Sequence, residues 1–192
     1  MPKLFVIHCP KSCGHRRPGL EAHFAQRGFT DVEWLTDYSI DHPYVQWLHK
    51  RLGNTSIEHV SGLVKGWEMY LKVIREAKSD DEMFWKCDDD VRFIKNWDVP
   101  LPSHLMYINL SVGVNFHILP DGQPQYIYNN GGAEVFCFNR VFAQNVLNNI
   151  DTSMGSDILT HGMLQKLRHP LVCVPIAQQT SLLEPKTSAN PY

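Results

Sequence analysis

The sequence predicts a single α/β domain, with a mostly parallel central sheet flanked by helices on both faces and a small antiparallel hairpin. Its 192 residues fit one domain and hardly two. In the first half, short apolar runs alternate with helical patterns, which is the order that builds parallel strands joined by helices. Further along, the turn Pro-Asp-Gly-Gln at 120–123 separates two short apolar runs and predicts the hairpin.

Helical periodicity and short apolar runs predict the helices and strands of the first half. The clearest element is a helix from about Ser56 to Ala77, whose apolar residues recur at helical spacing behind a serine that can cap it. Residues 14–18 indicate a loop, and residues 39–55 give no clear pattern. The expected elements are a strand at 4–9, a helix at 20–27 that Gly28 ends, a strand at 32–35, the helix at 56–77 and a strand at 83–87.

The second half carries shorter elements and closes on a polar tail. The chain after Ser181 is polar and contains proline, which is typical of a loose terminus. We expect strands at 105–110, 114–119, 125–128, 134–138 and 171–175, and helices at 140–149 and 155–167.

Composition and charge exclude several classes of protein. With 43% apolar and 20% charged residues, the chain is neither collagen-like, coiled-coil nor disordered. A net charge of −2 argues against a strongly basic nucleic-acid-binding protein, so we expect no nucleic-acid partner. No segment approaches the roughly 20 apolar residues of a membrane span, and the apolar run after Met1 is too short for a signal peptide. Five cysteines, an odd number, do not suggest a disulfide framework. We expect a reduced, cytoplasmic protein.

The sharpest chemical feature is the acidic triplet Asp88-Asp89-Asp90, which follows a buried strand directly. Three adjacent carboxylates repel one another unless a cation offsets their charge, and a hard divalent ion prefers oxygen ligands. In open α/β sheets, ligands bind beyond the carboxyl ends of the strands. An acidic run alone is more often a solvated turn, but the apolar strand before it favours a metal site. Asp88 and Asp90 are then expected to share one ion with phosphate oxygens.

A second constellation lies near the end of the chain. Asp157 stands in the first turn of a predicted helix, and His161 is four residues on, on the same face. The carboxylate would suit a general base and the imidazole a metal ligand, with His117 and His169 as rival ligands. The alternative is a dipole-stabilising aspartate beside a surface histidine.

Two further groups of residues suit a polar ligand. The loop around Asn130, Gly131 and Gly132 lets backbone amides approach a ligand closely, although an ordinary loop between strands is as plausible. Cationic side chains that follow the first strand suit a diphosphate or a base. The candidates are His8, Lys11, Arg16 and Arg17, with Asp37 after the second strand and Lys65 in the long helix. No Walker-type or dinucleotide-binding glycine pattern occurs.

The order of these features resembles that of glycosyltransferases with the type A fold, and most of all glycosyltransferase family 25, the lipopolysaccharide and collagen sugar transferases. The likeness covers about residues 4–181, and the acidic motif is its specific part. Cys87 stands where that family usually carries a glutamate, and residues 39–55 have no counterpart. The resemblance to this family is found at Phe84 to Val91, Val6-Ile7-His8 with Arg16-Arg17, Gly132 to Arg140, and Gly155-Ser156-Asp157.

The resemblance implies a metal-dependent glycosyltransferase with a GT-A-like fold. It would move a sugar from a nucleotide-diphosphate sugar, with UDP as the expected nucleotide, to a hydroxyl of a glycan or glycoprotein. The implied cofactor is Mn²⁺ (or Mg²⁺), which would neutralise the leaving diphosphate. In an inverting reaction Asp157 would deprotonate the acceptor hydroxyl, and in a retaining one it would position the sugar.

The same resemblance implies roles for individual residues. Asp88 would face the nucleotide and its ribose, Asp90 would bind the metal, and Asp89 would assist either. Positions that hold the base, ribose and phosphates in such folds match His8, Asp37 and Lys65, and the family's arginine matches Arg16. The loop at 130–132 would line the sugar or acceptor.

A domain of this size leaves little room for acceptor recognition. We expect one domain over 1–192, with a nucleotide-binding half at about 1–100, a sugar and acceptor half at about 101–181 and a tail at 182–192. A further domain or partner is then expected to supply acceptor recognition. Two other functions stay open. They are a metal-dependent phosphohydrolase or nuclease, and a non-catalytic nucleotide-sugar-binding module.

Overall fold

The computed structural model describes residues 2–53, 55–98, 100–102, 104–111, 134–150, 164, 166–168 and 173–179. The predicted strands of the first half, and the predicted helices around 20–27 and 56–77, are confirmed within a few residues. The observed elements are β1 (Leu4–Ile7), α1 (Pro10–Cys13), α2 (Arg17–Gln26), β2 (Val32–Leu35), α3 (Pro43–Leu52), α4 (Ile57–Glu76) and β3 (Phe84–Asp88).

The segment predicted as a loop at 14–18 is helical instead. A 3₁₀ turn covers Gly14–Arg16, and α2 begins at Arg17. Pro18 lies in the first turn of α2, where its fixed φ and missing N–H are tolerated. The helix therefore starts earlier than its apolar periodicity shows.

Helix α3 occupies the segment that gave no clear pattern. It begins with Pro43 after the N-cap His42, whose Nδ1 accepts a hydrogen bond from the N–H of Tyr44 at 3.2 Å. Histidine is not one of the usual capping residues, so the start of this helix is not evident from the sequence. By contrast, Ser56 caps α4 as predicted, because its Oγ accepts from the N–H of His59 at 3.2 Å.

The described elements of the second half are β4 (Val91–Phe93), β5 (Tyr107–Ser111), β6 (Val135–Phe138), α5 (Arg140–Asn148) and β7 (Cys173–Gln179). Four of them confirm predicted elements with shifted ends, and the three-residue β4 was not predicted. The strands predicted at 114–119 and 125–128 lie outside the described residues. So does the helix predicted at 155–167, apart from 164 and 166–167.

The seven described strands form one mixed sheet in the order β2-β1-β3-β6-β5-β7-β4. Strand β1 pairs in parallel with β2 and β3, as the alternating first half predicts. Beyond β3 the expectation of a mostly parallel sheet is wrong for the described strands. The β3–β6, β5–β6 and β4–β7 pairs are antiparallel, and β5–β7 is parallel.

Helices cover both faces of the sheet, as predicted. Side chains alternate along a strand, so Leu4 and Val6 enter one core with Phe24 of α2, while Phe5 enters the opposite core with Val73 of α4. Helix α5 packs on the same face as α4. The sheet is therefore buried on both sides near its parallel end.

Helix α4 is 20 residues long and connects the sheet to α3. Its Val60 and Val64 pack against Val45 and Leu48 of α3. None of the described helices combines the length with the apolar character that crossing a bilayer demands.

Candidate functional site

The ends of the three parallel strands bring the predicted site residues to one edge of the sheet. Ile7 pairs in register with Leu35 of β2 on one side and with Asp88 of β3 on the other. The residues that follow these strands therefore leave the sheet at its carboxyl edge. This is the edge at which open α/β sheets bind ligands.

Asp89 is held firmly at this edge. The Nδ1 of the buried His8 donates to its Oδ2 at 2.8 Å, and the Cys9 N–H donates to the same oxygen at 3.3 Å. Arg16 contacts the other oxygen, Oδ1, at 3.1 Å. The sequence predicts His8, Arg16 and Asp89 at one nucleotide site, and the structure brings them into direct contact. Both carboxylate oxygens of Asp89 are engaged by protein groups.

Asp88 lies beside a lysine that the sequence analysis did not select. The Nζ of Lys86 is 2.8 Å from its Oδ1, and the side chain of Asp88 is 35% exposed. The Asp88 N–H donates to the carbonyl of Glu134 at 2.9 Å. The pKa of Asp88 is raised to about 7, because burial, together with the charges of Asp90 and Glu134, raises it by more than Lys86 lowers it.

A two-residue turn of Asp89 and Asp90 joins β3 to β4. Strand β4 pairs with β7 and not with β3, so the two strands on either side of this turn have different partners. Asp90 is partly buried in this turn. The residues on either side of the turn belong to strands. The three carboxylates therefore occupy three different environments and do not form one exposed acidic run.

Lys65, in helix α4, contacts the end of β1 at the same edge of the sheet. Its side chain is fully buried, and its Nζ donates to the carbonyl of His8 at 2.8 Å and contacts the Cys9 Sγ at 3.4 Å. The predicted phosphate ligand thus supports the backbone at the end of β1 in this structure.

The remaining candidates of the first half surround this centre. Asp37 is exposed two residues after β2. Lys11 forms an exposed ion pair with Asp41. The guanidinium of Arg17 lies 4.8 Å from the ring centroid of Trp34, whose ring also contacts His8 edge-on at 5.2 Å. The Trp34 ring is therefore partly buried, in contact with Arg17 and His8 and packed against the core on the α2 side of the sheet.

The described carboxylates fit a divalent ion only in part. In the described ranges, no cluster of three or more acidic, histidine or cysteine side chains is arranged to hold a metal. Asp88 and Asp90 supply two carboxylates, and Mg²⁺ is often held by one or two of these with substrate phosphates. The set therefore fits an ion shared with a diphosphate better than one held by the protein alone. His161, His117 and His169 lie outside the described residues.

The sequence analysis did not select two residues at this edge, Lys86 and Glu134. Of these, Lys86 could have been identified from the sequence pattern. Lys86 stands two positions before Asp88 on a strand, so both side chains lie on the same face. Glu134 reaches Asp88 only through the antiparallel β3–β6 pairing, which the sequence did not predict. The predicted base Asp157 and the predicted loop at 130–132 lie outside the described residues.

The chain matches no protein-family model and no curated protein.

Proposed function

We propose that this protein is a metal-dependent glycosyltransferase. It would transfer a sugar from a nucleotide-diphosphate sugar, with UDP as the expected nucleotide, to a hydroxyl of a glycan or glycoprotein. The observation that carries the proposal is the acidic triplet at the end of β3, in register with the ends of β1 and β2. A carboxylate pair beside cationic groups at this edge suits a diphosphate bridged by a divalent ion.

The residues of the edge have distinct roles in this proposal. Asp88 and Asp90 would hold Mn²⁺ or Mg²⁺ together with the diphosphate, and the ion would supply Lewis-acid stabilisation of the leaving group. Asp89, fixed by His8 and Arg16, would keep the end of β3 against the end of β1. Substrate phosphates could also draw on the Arg16 guanidinium, because a guanidinium forms several directed hydrogen bonds.

Other parts of the proposed site would bind the nucleoside and the acceptor. The exposed Asp37, near the end of β2, suits hydrogen bonding to a ribose. Asp157 stays the proposed general base of an inverting reaction, or the sugar-positioning residue of a retaining one. Asn130, Gly131 and Gly132 stay the proposed lining of the sugar and acceptor side.

Thermal shift and calorimetry with nucleotide sugars test this proposal. The probes are UDP-glucose, UDP-galactose, UDP-N-acetylglucosamine and, as a different base, GDP-mannose, each with and without Mn²⁺. We expect one UDP-sugar to stabilise the protein only when Mn²⁺ is present, by about 2.7 kcal/mol at a hundredfold excess over its dissociation constant. Asp90→Asn should remove the Mn²⁺ dependence, whereas Asp81→Asn, at an exposed carboxylate before β3, should not. A lack of any metal-dependent response would overturn the proposal.

One observation favours a second candidate, a non-catalytic nucleotide-sugar-binding module. Protein cations already stand beside two of the three carboxylates, Lys86 at Asp88 and Arg16 at Asp89. Such a module would bind the nucleotide sugar without metal and without turnover, and Asp157→Asn would change nothing. An enzyme would lose transfer in that variant and keep donor binding. Phosphate release from simple esters, with no need for a sugar nucleotide, would instead indicate the phosphohydrolase or nuclease.

A further inference from the structure

Two aromatic side chains are exposed on the outer face of α3. Tyr44 and Trp47 are 42% and 52% exposed, and their rings stack with centroids 5.6 Å apart and an angle of 23° between their planes. The guanidinium of Arg51 lies 5.5 Å from the centroid of the Trp47 ring. Spacings of three and four residues place these side chains in one row along the helix. Tyr44, Trp47 and Arg51 together form the α3 stack.

The helix below the α3 stack is firmly anchored. Val45 and Leu48, which follow the two rings directly in sequence, are buried against α4. At the start of the helix, the Nε2 of Gln46 donates to the carbonyl of Ile40 at 2.5 Å. Neither ring of the stack belongs to a hydrophobic core of the described residues. Because the stacked rings support each other, a partner that binds them has few flexible side chains to order.

The surface around the α3 stack is cationic. Helix α3 carries Lys50 and Arg51, both exposed, and has no carboxylate of its own. Within the described part of the chain, neither cation forms an ion pair. The carboxylate that precedes the helix, Asp41, is already paired with Lys11. The charge on this face is therefore complementary to an acidic partner.

Size and charge together select the kind of partner. From Tyr44 to Arg51 the row spans about 10 Å of helix, the length of about three residues of an extended peptide. A stable interface between folded domains needs about 800 Å² on each partner, far more than three side chains offer. A two-fold contact between copies of this chain would also bring like charges together. Anionic membrane surfaces are typically recognised by clusters of roughly four to eight cations, and this face has two.

We propose that the α3 stack is a docking site for a short acidic segment of a partner polypeptide. An apolar or aromatic side chain of that segment packs against the Tyr44 and Trp47 rings, and its flanking carboxylates pair with Lys50 and Arg51. Tryptophan, tyrosine and arginine are enriched among the residues that dominate the energy of protein–protein binding. Burial of the exposed rings supplies the affinity, and the two cations discriminate against basic segments.

The docking site is connected to the carboxyl edge of the sheet. Asp41, three residues before Tyr44, pairs with Lys11, which lies in α1 directly after β1. An acidic segment on the polypeptide of a glycoprotein acceptor would then be held near the proposed site of transfer. This role rests on the proposed function, whereas the binding of an acidic peptide does not.

Selection from a random dodecapeptide library displayed on phage tests the binding chemistry. The library is first depleted on the folded Trp47→Ala/Arg51→Glu double variant and then selected on the wild type. We expect the recovered peptides to share an apolar or aromatic residue flanked by Asp or Glu. Recovery of no peptide, or of peptides without acidic residues, would overturn the proposal.

Single variants identify the contacts of one recovered peptide. Its affinity is measured by fluorescence polarisation without nucleotide sugar, so the result does not depend on transferase activity. Trp47→Ala and Arg51→Glu should each weaken binding about tenfold or more, because each removes a central contact. The matched control Arg75→Glu makes the same charge change at an exposed position of α4 and should change the affinity by less than about twofold, since salt screens distant charges. Equal affinities for all four proteins, with melting temperatures that show them to be folded, would contradict the assignment.

Two further measurements test the other occupants. Sedimentation velocity measures self-association, and co-sedimentation with vesicles of equimolar phosphatidylcholine and phosphatidylserine measures membrane binding. We expect neither to differ between the wild type and Trp47→Ala. A dimer or a vesicle-bound fraction that is lost in Trp47→Ala would assign the α3 stack to a second copy or to a membrane, and would overturn the proposal. A protein that binds the peptide but shows no metal-dependent response to UDP-sugars would keep the docking site and lose the proposed function.

Discussion

Lys86 stands where a divalent ion would have to compete with it. Its Nζ is 2.8 Å from Asp88 Oδ1 in a side chain that is 10% exposed, so Asp88 already has a counter-charge. A metal that binds Asp88 must displace this ammonium or share the carboxylate with it. In the proposed site, the ion would then bind well only when a diphosphate supplies further oxygen ligands.

Removal of that competing charge should strengthen binding of the metal alone. Asp88 is 35% exposed, so solvent screening limits the ion pair to on the order of 1 kcal/mol, or about fivefold in affinity. We therefore expect Lys86→Met to bind Mn²⁺ about fivefold more tightly than the wild type, by calorimetry without nucleotide. The matched control Lys72→Met should bind as the wild type does. Equal affinities in all three proteins would show that Lys86 does not compete.

Asp88 should also make stability depend on pH. Its pKa is raised from the model-peptide value of 3.8 to about 7 in the fold, mainly by burial. The stabilisation it gives is complete below pH 3.8, where the carboxyl is protonated in both states, and is lost as pH rises through about 7. Between pH 4 and 8, the stability of the wild type relative to that of Asp88→Asn, measured by urea unfolding, should therefore fall. If the free energy of unfolding changed with pH in parallel in the two proteins, this role of Asp88 would be contradicted.

At the scale of single residues, the sequence indicates the acidic triplet and its neighbours but not their partners. An apolar strand that runs into three aspartates identifies the carboxyl edge, and strand order brings His8 and Arg16 to it. The Lys86–Asp88 pair could have been predicted from the two-residue alternation of a strand. The contact with Glu134 could not, because it depends on which distant strand lies beside β3 and in which direction.

At the scale of elements, His23 connects α2 to β4. Its Nε2 accepts a hydrogen bond from the Phe93 N–H at 2.8 Å, so the ring is neutral in this geometry. Burial lowers the pKa of His23, and the charges of Arg92 and Arg27 lower it further. Its stabilisation is therefore complete above the ordinary pKa of 6.5 and is lost as pH falls through the lowered value.

Acid should accordingly weaken the wild type more than a variant without the titrating ring. We expect the urea midpoint of the wild type, taken relative to that of His23→Gln, to fall between pH 7.5 and 5, because the glutamine amide oxygen can still accept from Phe93 but does not titrate. His15→Gln, at an exposed histidine in the preceding turn, serves as the control and should fall with the wild type. A His23→Gln protein that loses as much stability as the wild type would refute this role.

Gly28 ends α2 in a conformation that other residues adopt poorly. Its φ is +84°, and an added Cβ would lie 2.8 Å from Nε1 of Trp97. Gly28→Ala should therefore destabilise the fold by about 1–2 kcal/mol, measured as a lower melting temperature. Gly14→Ala is the matched control, because its φ is −54° and nothing lies near the added carbon. Equal melting temperatures for the two variants would contradict the assignment.

Elements with strong local signals are those that the sequence predicts well. Helix α4 has a serine cap and an apolar stripe, and β2 has a short apolar run between polar residues. Helix α3 was missed because a histidine caps it, and β4 because three residues carry too little pattern. The antiparallel pairings beyond β3 were missed because pairing direction there is set by contacts between distant segments.

At the scale of the whole molecule, backbone amides should be most protected from hydrogen exchange in the middle of the parallel region. Strand β1 has a hydrogen-bonded neighbour on each side and a packed core on each face, whereas β4 ends the described sheet order. Amide hydrogen exchange should therefore be slowest in β1 and β3 and faster in β4 by orders of magnitude. Comparable exchange in all three strands would mean that the sheet opens as one unit.

The contact between His8 and Asp89 joins residues 81 positions apart in sequence. Closing a loop of that length costs roughly 4 kcal/mol of chain entropy, which must be met by β1–β3 pairing and the two cores. The carboxyl edge therefore depends on long-range pairing of β1 with β3. A nascent or truncated chain that lacks β3 has no such edge, so the proposed activity would require the complete parallel half of the sheet.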